Sequence, residues 1–478
     1  MAALTDYTMD VSSSFSGLLN EKFCHNHLNV LKSFTSQLRG QEYREVVEKD
    51  VFCHLWGLLS RLREELEASG GGEEDELNLQ LIAECFRAQR NACVQSPRNQ
   101  ALLRELSFIE ESLKVISVLQ HMHLQSGGAA LEPLRCGVQF LGNIAVGSQL
   151  CKDNLWRLSF PHLMLDLLSG EDEKVVSYAS MVLHTCLDEE KVEELAQPNN
   201  IPLALRVMEL CRTHPDIDWT VLIATQHFLK SSALVTSMYS GISHLERMTL
   251  LELLAAQLGG GGADDSGIPG DVASHLAESF QTGCKAVLVL TSGSADGDEE
   301  ALTVIGLLDV LCEMTSDLEQ FMFLQDHAGL LQTTVGLLQD VHALGKASEN
   351  VFSSSQNFSS FSSGGGDPSS PFVSFKAHLI RLIGNLCHHH PGNQNLVREL
   401  DGIPLILDNC SIDSNNPFIS QWAIFTIRNL LEQNHDNQEL VAVMDRRGNA
   451  DYSALTALGL DVEKRDGGLL LKPTKKNH

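Results

Sequence analysis

The sequence predicts an all-α chain assembled from stacked helical repeats, and three observations carry that prediction. Leucine is abundant while aromatic residues make up only 6% of the 478 positions, a balance that favours helix-on-helix packing over a β-sandwich. A short pattern, Asn, seven residues, then Asn-Gln, recurs along the chain. The segments that carry it show apolar stripes at the 3.6-residue helical period. A chain of this length also suits several domains or an array better than one compact core.

The pattern is plain in RNACVQSPRNQ from Arg90, GNLCHHHPGNQ from Gly384 and RNLLEQNHDNQ from Arg428, with the pairs Asn91/Asn99, Asn385/Asn393 and Asn429/Asn437. The last two copies lie 44 residues apart. LGNIA places Asn143 52 residues after Asn91, the excess matching the HLQSGGAALE loop at His123, and MVLHTCL puts Thr185 in the same place 42 residues later. Glu313 holds that place in LLDVLCEM. Spacings of 42 to 44 fall in the armadillo and HEAT range, so the predicted fold is an armadillo/HEAT-like superhelical solenoid. In FKAHLIRLIGNLC, Phe375, Leu379, Leu382, Ile383 and Leu386 fall on one helical face. In ELDGIPLILDNC, Gly402 is expected to end one helix and Pro404 to open the next, where its missing N–H costs nothing. FPHLMLDLL at Pro161 and HAGLLQTTVGLL at Gly329 repeat the gesture. Short helices of this kind bury their apolar faces only by stacking.

Residues 1–76 read as a divergent helical segment and 77–351 as armadillo-like repeats, with flexible loops near 258–267 and 292–300. The Ser/Gly-rich stretch 352–372 has no periodicity and reads as a disordered linker. Residues 373–450 resume the repeats, and 451–478 read as a β-hairpin around Asp466-Gly467 followed by a basic tail.

The formal net charge is -28, from 62 acidic against 34 basic residues, which repels phosphate backbones and anionic lipid. Nucleic acid and membrane surfaces are therefore poor partners, and a basic protein surface is favoured. The 12 cysteines form no C-x-x-C pair and no disulfide framework, no signal peptide is visible, and no run of about 18 apolar residues could span a bilayer. The chain reads as soluble and intracellular, in a reducing compartment.

Chemistry is sparse. The run Cys387, His388, His389, His390 invites a metal, but zinc needs about four converging ligands. Consecutive residues do not all turn to one ion, and no matching Cys/His pair has ligand spacing. Cys387 is expected at a helix end after buried Leu386, with the histidines in the loop before Pro391; no metal, cofactor or catalytic residue is assigned. HALGKAS lacks the first glycine of a phosphate-binding loop, and no G-x-S-x-G, H-E-x-x-H or G-x-G-x-x-G occurs in context. Glu189-Glu190 read as helix-end charges, and Ser96-Pro97 and Ser370-Pro371 suit proline-directed kinases.

A binding face is the stronger candidate. Opposite the apolar stripes lie Arg87 with Asn91, Gln139 with Asn143, His378 and Arg381 with Asn385, and Trp422 and Phe425 with Asn429. An amide both donates and accepts, so such a row could grip an extended peptide backbone; equally, each Asn could satisfy a neighbouring loop or helix end.

Together these residues resemble the ataxin-10 family of armadillo-repeat proteins. The resemblance runs from about Leu77 to the end and rests on ECFRAQRNAC, LRCGVQFLGNIA, LLDVLCEMT, HLIRLIGNLC and LDGIPLILDNC with NPF after it, the last two in the family's C-terminal domain; the first 75 residues match poorly. It implies a non-catalytic cytoplasmic scaffold, found also at the perinuclear region, centrosome or basal body and midbody, with roles in cytokinesis, neurite outgrowth and neuronal survival. The implied partners are a heterotrimeric G-protein β subunit, O-linked N-acetylglucosamine transferase, mitotic kinases and a second copy of the chain. Armadillo proteins are similar in using inner-helix asparagines to hold peptides. The import-receptor variant needs Trp four residues before each Asn, where this chain has Arg87, Gln139, Arg381 and Phe425. Two other readings are an armadillo-like G-protein regulator, chaperone or exchange factor, and a zinc-dependent enzyme, which needs stoichiometric metal.

Nine serines and three consecutive glycines between Phe352 and Phe372 leave few apolar contacts to protect the backbone. Limited proteolysis followed by mass spectrometry is expected to cut there before it cuts any repeat.

Overall fold

The computed structural model describes residues 22–68, 73–126, 128–259, 267–289, 298–317, 319–347, 352, 373–410, 416–446, 460–465 and 468–473. The chain divides into two compact bodies, Met1–Phe228 and Leu229–His478. Both are all-α except for a terminal hairpin. The Ser/Gly-rich run expected to be disordered lies outside the described residues apart from Phe352, which is buried and packs its ring against Phe375. Of the two expected loops, Leu258 and Gly259 still belong to a helix, and Asp298 already begins one.

The N-terminal body contains α1 (His25–Gln37), α2 (Gln41–Val46), α3 (Lys49–Ala68), α4 (Glu73–Cys93), α5 (Pro97–Glu105), α6 (Phe108–Ser126), α7 (Leu131–Ala145), α8 (Gln149–Ser159), α9 (His162–Leu168), α10 (Glu173–Cys186), α11 (Glu189–Leu195), α12 (Ile201–Thr213) and α13 (Asp218–Gln226). They group in threes: α4, α7 and α10 are successive inner helices, each followed by a short helix and a third that closes the layer. Asp172 and Asp188 cap α10 and α11 by accepting from the Val175 and Lys191 amides, and Glu189 and Glu190 stand exposed in the first turn of α11, where carboxylates suit the helix dipole.

The C-terminal body contains α14 (Ser232–Gly241), α15 (His244–Gly259), α16 (Gly270–Gly283), α17 (Asp298–Met314), α18 (Leu330–Ala347), α19 (Phe375–Cys387), α20 (Pro391–Glu399), α21 (Gly402–Asp408), α22 (Ile419–Leu431) and α23 (His435–Arg446). The apolar stripe of α19 is fully used: Phe375, Leu379, Leu382, Ile383 and Leu386 are all buried. The chain ends in β1 (Leu460–Arg465) and β2 (Gly468–Pro473), which pair antiparallel with Arg465 opposite Gly468. That register brackets the Asp466-Gly467 dipeptide the sequence marks as a turn. Among the described residues no helix is long and apolar enough to cross a membrane.

The repeat is written in the backbone as well as in the sequence. Four residues after Asn91, Asn143, Asn385 and Asn429 come Gln95, Gly147, His389 and Gln433, all with positive φ. Ser107 and Asp401, sixteen residues after Asn91 and Asn385, are also left-handed, and so is Gly329, sixteen after Glu313. Glu313 thus keeps the register although it is not Asn. Gly402 does not end α20 as the sequence suggested. The left-handed Asp401 does, and Gly402 opens α21 because an added Cβ would stand 2.7 Å from Val397 Cγ1. Ser96 stands at the N-cap position of α5 without a side-chain capping bond and is buried, so the folded chain does not present its Ser-Pro dipeptide to a kinase.

Two outcomes follow from this packing. At Gly384, on the face of α19 that meets α22, an added Cβ would lie 2.5 Å from Thr426 Oγ1 and 3.0 Å from the Phe425 ring. Gly384→Ala gains about 1 kcal/mol of helix propensity, but overpacking of a filled interface costs roughly 1–3 kcal/mol. With two neighbours inside contact distance the clash wins, and the variant is expected to lower the urea midpoint of the C-terminal body. Ten of the 12 cysteines are buried and free, with Cys24 and Cys53 exposed. Burial pushes the Cys186 thiol up to about 12 and those of Cys211 and Cys410 up to about 11. A disulfide reagent should therefore titrate about two thiols in the native protein, and all of them once it is unfolded.

Candidate protein-binding site

The candidate residues fall into two clusters, one in each body. In the C-terminal body α17, α19 and α22 lie side by side. His378 Nδ1 is 2.5 Å from Asp309 Oδ1 on α17. Arg381 donates from Nη1 to Glu313 Oε1 at 2.8 Å and from Nη2 to Ser316 Oγ at 2.8 Å. The same guanidinium lies 4.8 Å from the centroid of the Trp422 ring, and Trp422 meets Phe425 edge to face at 5.8 Å. His378, Arg381, Trp422 and Phe425 are all partly exposed, so acidic, cationic and aromatic groups share one face.

In the N-terminal body Arg87 pairs with Glu84 and with Glu132 of the next inner helix, and Arg90 Nη1 donates to Gln139 Oε1 at 2.5 Å. Arg87 and Gln139 are likewise partly exposed. This cluster has no aromatic member. Where the pattern lacks Asn, at Thr185, the hydroxyl turns back to Met181 O of its own helix.

The asparagines themselves do something different from gripping a ligand. Asn91 Nδ2 donates to Thr35 O of α1 at 3.2 Å, and Asn143 Nδ2 to Arg90 O of α4 at 3.3 Å. Asn385 Nδ2 donates to Cys312 O of α17 and to Thr315 and Ser316, and Asn429 Nδ2 to Gly384 O of α19 at 3.0 Å. Asn91, Asn385 and Asn429 are buried, and each amide nitrogen reaches a backbone carbonyl in the preceding inner helix. This corrects the expectation that the ladder offers its amide donors to a peptide: they are committed inside the fold. Burial is the reason, because a carbonyl held away from water must find a donor.

The second half of the pattern completes the arrangement. Asn99, Asn393 and Asn437 each donate to the carbonyl seven residues back, Ala92, Leu386 and Leu430, and to a carbonyl of the preceding layer, Arg44, Gln325 and Gln394. Gln100 reaches forward to Asn143 O and Val146 O, and Gln394 to Asn429 O. Gln325 does the same to Asn385 O and His388 O. The sequence reading missed Gln325, because no Asn stands eight residues before its neighbour to mark the motif. It also missed the partners Asp309, on α17, and Ser316, in the turn just after it.

Cys387 closes α19, fully buried, and burial drives its thiol well above the ordinary range. His390 caps α20 by accepting from the Asn393 amide at 3.0 Å, and its Nε2 lies 3.0 Å from Asp326. Among the described residues one group of three offers metal-type ligand atoms within 4.8 Å of one another: His388, His389 and Glu432.

Comparison with known proteins gives a consistent picture. Residues 375–472 match the family described as the spinocerebellar ataxia type 10 protein domain. Ataxin-10 of Xenopus tropicalis is 46% identical over 444 residues, 92% of this chain and 90% of that protein. Ataxin-10 of Homo sapiens is 40% identical over 458 residues, 94% of each chain. An ataxin-10 homolog of Dictyostelium discoideum is 45% identical over 96 residues, 20% of this chain and 16% of that one. The crystal structure of SYS-1 aligns at 12% identity over 89% of this chain and 76% of that chain, with a TM-score of 0.40, too low to carry an argument. The matches spanning more than nine-tenths of the chain also correct the resemblance at its N-terminal limit, since the stretch from Leu77 onward is too short to hold them. A likeness this deep along nearly the whole of both proteins has one meaning: the chain belongs to the ataxin-10 family.

Proposed function

We propose that this chain is a non-catalytic scaffold that binds other proteins, and that one binding face is the cluster of His378, Arg381, Trp422 and Phe425. The observation that supports this most directly is a tryptophan left partly exposed on an inner helix, with an arginine over its ring and a phenylalanine at its edge. Tryptophan and arginine dominate binding energy when a partner desolvates them, and an aromatic surface held rigid by its neighbours loses little entropy on binding. Asp309 and Glu313 border the cluster, and the whole chain carries -28, so the partner surface is basic with an apolar centre. In the N-terminal body Arg87 and Gln139 form a more polar second face.

The family resemblance supplies the partners to try first: the heterotrimeric G-protein β subunit, O-linked N-acetylglucosamine transferase, mitotic kinases and a second copy of the chain. It also supplies the setting: a cytoplasmic scaffold at the perinuclear region, basal body and midbody, acting in cytokinesis and neurite outgrowth. The G-protein regulator is the competing reading, and it separates from the scaffold by activity: a regulator accelerates nucleotide release from a Gα subunit, a scaffold does not.

Titration of the purified full chain with G-protein βγ dimer tests the proposal. Trp422→Ala combined with Arg381→Ala should weaken binding about tenfold or more, which corresponds to about 1.4 kcal/mol. Melting of the single variants should fall little. A large stability loss in Trp422→Ala with binding unaffected by Arg381→Ala would make the cluster structural.

A further inference from the structure

We infer that His388, His389 and Glu432 form a binding site for a divalent transition metal of the zinc class, with two imidazoles and one carboxylate as protein ligands and water in the fourth position. Their ligand atoms all lie within 4.8 Å of one another, and His389 Nδ1 stands 3.4 Å from Glu432 Oε2. A tetrahedral zinc with bonds of about 2.0–2.2 Å sets its ligand atoms roughly 3.3–3.6 Å apart. One edge of that tetrahedron is therefore already present, and the other two pairs of ligand atoms lie within 4.8 Å. The donor set is chosen too: imidazole nitrogen with one carboxylate suits zinc and its neighbours, not calcium or magnesium, which take oxygen.

The repeat builds this site. His388 and Glu432 each stand three residues after the recurring asparagine of their repeat, Asn385 and Asn429, at the residue that ends α19 and α22. Stacking brings equivalent positions side by side, so a residue 44 positions away becomes a neighbour. His389 is left-handed, with φ of 51°, and this turns its ring beside that of His388, the two centroids 4.0 Å apart. In the sequence, consecutive residues that do not turn to one ion and the lack of a Cys/His pair at ligand spacing speak against a metal; the fold instead brings a carboxylate, Glu432, from the next repeat. His390, the third histidine of the run, is not part of the site, since it caps α20 and faces Asp326.

The framework around the ligands is fixed without any ion. The His388 amide donates to Asn385 O, Gln325 Nε2 donates to His388 O at 2.8 Å, and the Glu432 amide donates to Arg428 O. His388 Nδ1 is buried with no hydrogen-bond partner, an imidazole nitrogen whose requirement the protein leaves unmet. A metal held here would tie two consecutive repeats of the family's C-terminal domain, so it would also stabilise their stacking.

Cobalt is the probe, since four-coordinate Co²⁺ has intense visible bands that six-coordinate surface binding lacks. The full chain, stripped with chelator, is titrated with Co²⁺ and then with Zn²⁺. The expected result is one equivalent with four-coordinate bands, bleached by Zn²⁺, and a rise in melting temperature with Zn²⁺. Glu432→Gln keeps the side-chain shape and should weaken binding at least tenfold and abolish that rise, as should His388→Ala, while His162→Ala in the N-terminal body changes neither. Absence of the four-coordinate bands, or an affinity that Glu432→Gln leaves unchanged, would overturn the site and leave only adventitious binding to surface histidines.

Discussion

An α-helix leaves the carbonyls of its last turn without intrahelical donors, and stacked short helices bury many such ends. In this protein side-chain amides of the adjoining layer and of the helix that follows, together with backbone amides of the turn, supply the missing donors. At the end of α19, Gly384 O receives Asn429, Asn385 O receives Gln325, Leu386 O receives Asn393, and Cys387 O receives the His390 amide. At the end of α4 the same four places are filled by Asn143, the Val94 amide, Asn99 and the Ser96 amide. The motif Asn, seven residues, Asn-Gln is thus a device for closing helix ends between layers. Each such bond contributes about 1 kcal/mol net, but leaving its buried partner unpaired costs roughly 1–3 kcal/mol. Register is therefore held more strongly than apolar packing alone would hold it, because a helix that slid by one residue would orphan several carbonyls at once.

The device depends on close approach. An amide side chain is short, so the Asn429 nitrogen reaches Gly384 O only because α19 and α22 lie nearly in contact at the glycine, where Thr426 and Phe425 fill the space a side chain would take. Gly142 stands in the same place beside Asn143, with the Met181 methyl 2.6 Å from where its Cβ would be. The two residues of the Gly-Asn dipeptide serve opposite neighbours: the glycine admits the next inner helix, and the asparagine bonds back to the preceding one.

The same economy separates structure from surface in the candidate site. The amide donors are spent inside, and what remains outside is the row one and two turns earlier on the inner helices: Arg87 and Gln139 in one body, His378, Arg381, Trp422 and Phe425 in the other. These groups are oriented by charged or aromatic neighbours, Arg381 by Glu313, Ser316 and Trp422 together, and so present a rigid face. Three residues beyond the asparagine, at the residue that ends each helix, the side chains of His388 and Glu432 come together.

By itself the sequence determined the helical class, the repeat length and the apolar stripes, because periodicity and spacing are properties of the chain in one dimension; the family came from the resemblance of its motifs. It also marked the hairpin and the positions of the inner helices, Glu313 among them despite its departure from Asn. It left open whether the asparagines face a ligand or a neighbour, and it assigned the end of α20 to Gly402 when Asp401 makes the turn. Those questions depend on which groups stand opposite, and nothing in LIGNLC shows that the Cys312 carbonyl faces Asn385 or that Glu432 faces His389. Only the tertiary structure decided them, since stacking joins residues 45 to 73 positions apart whose hydrogen-bonding needs appear only once both are buried.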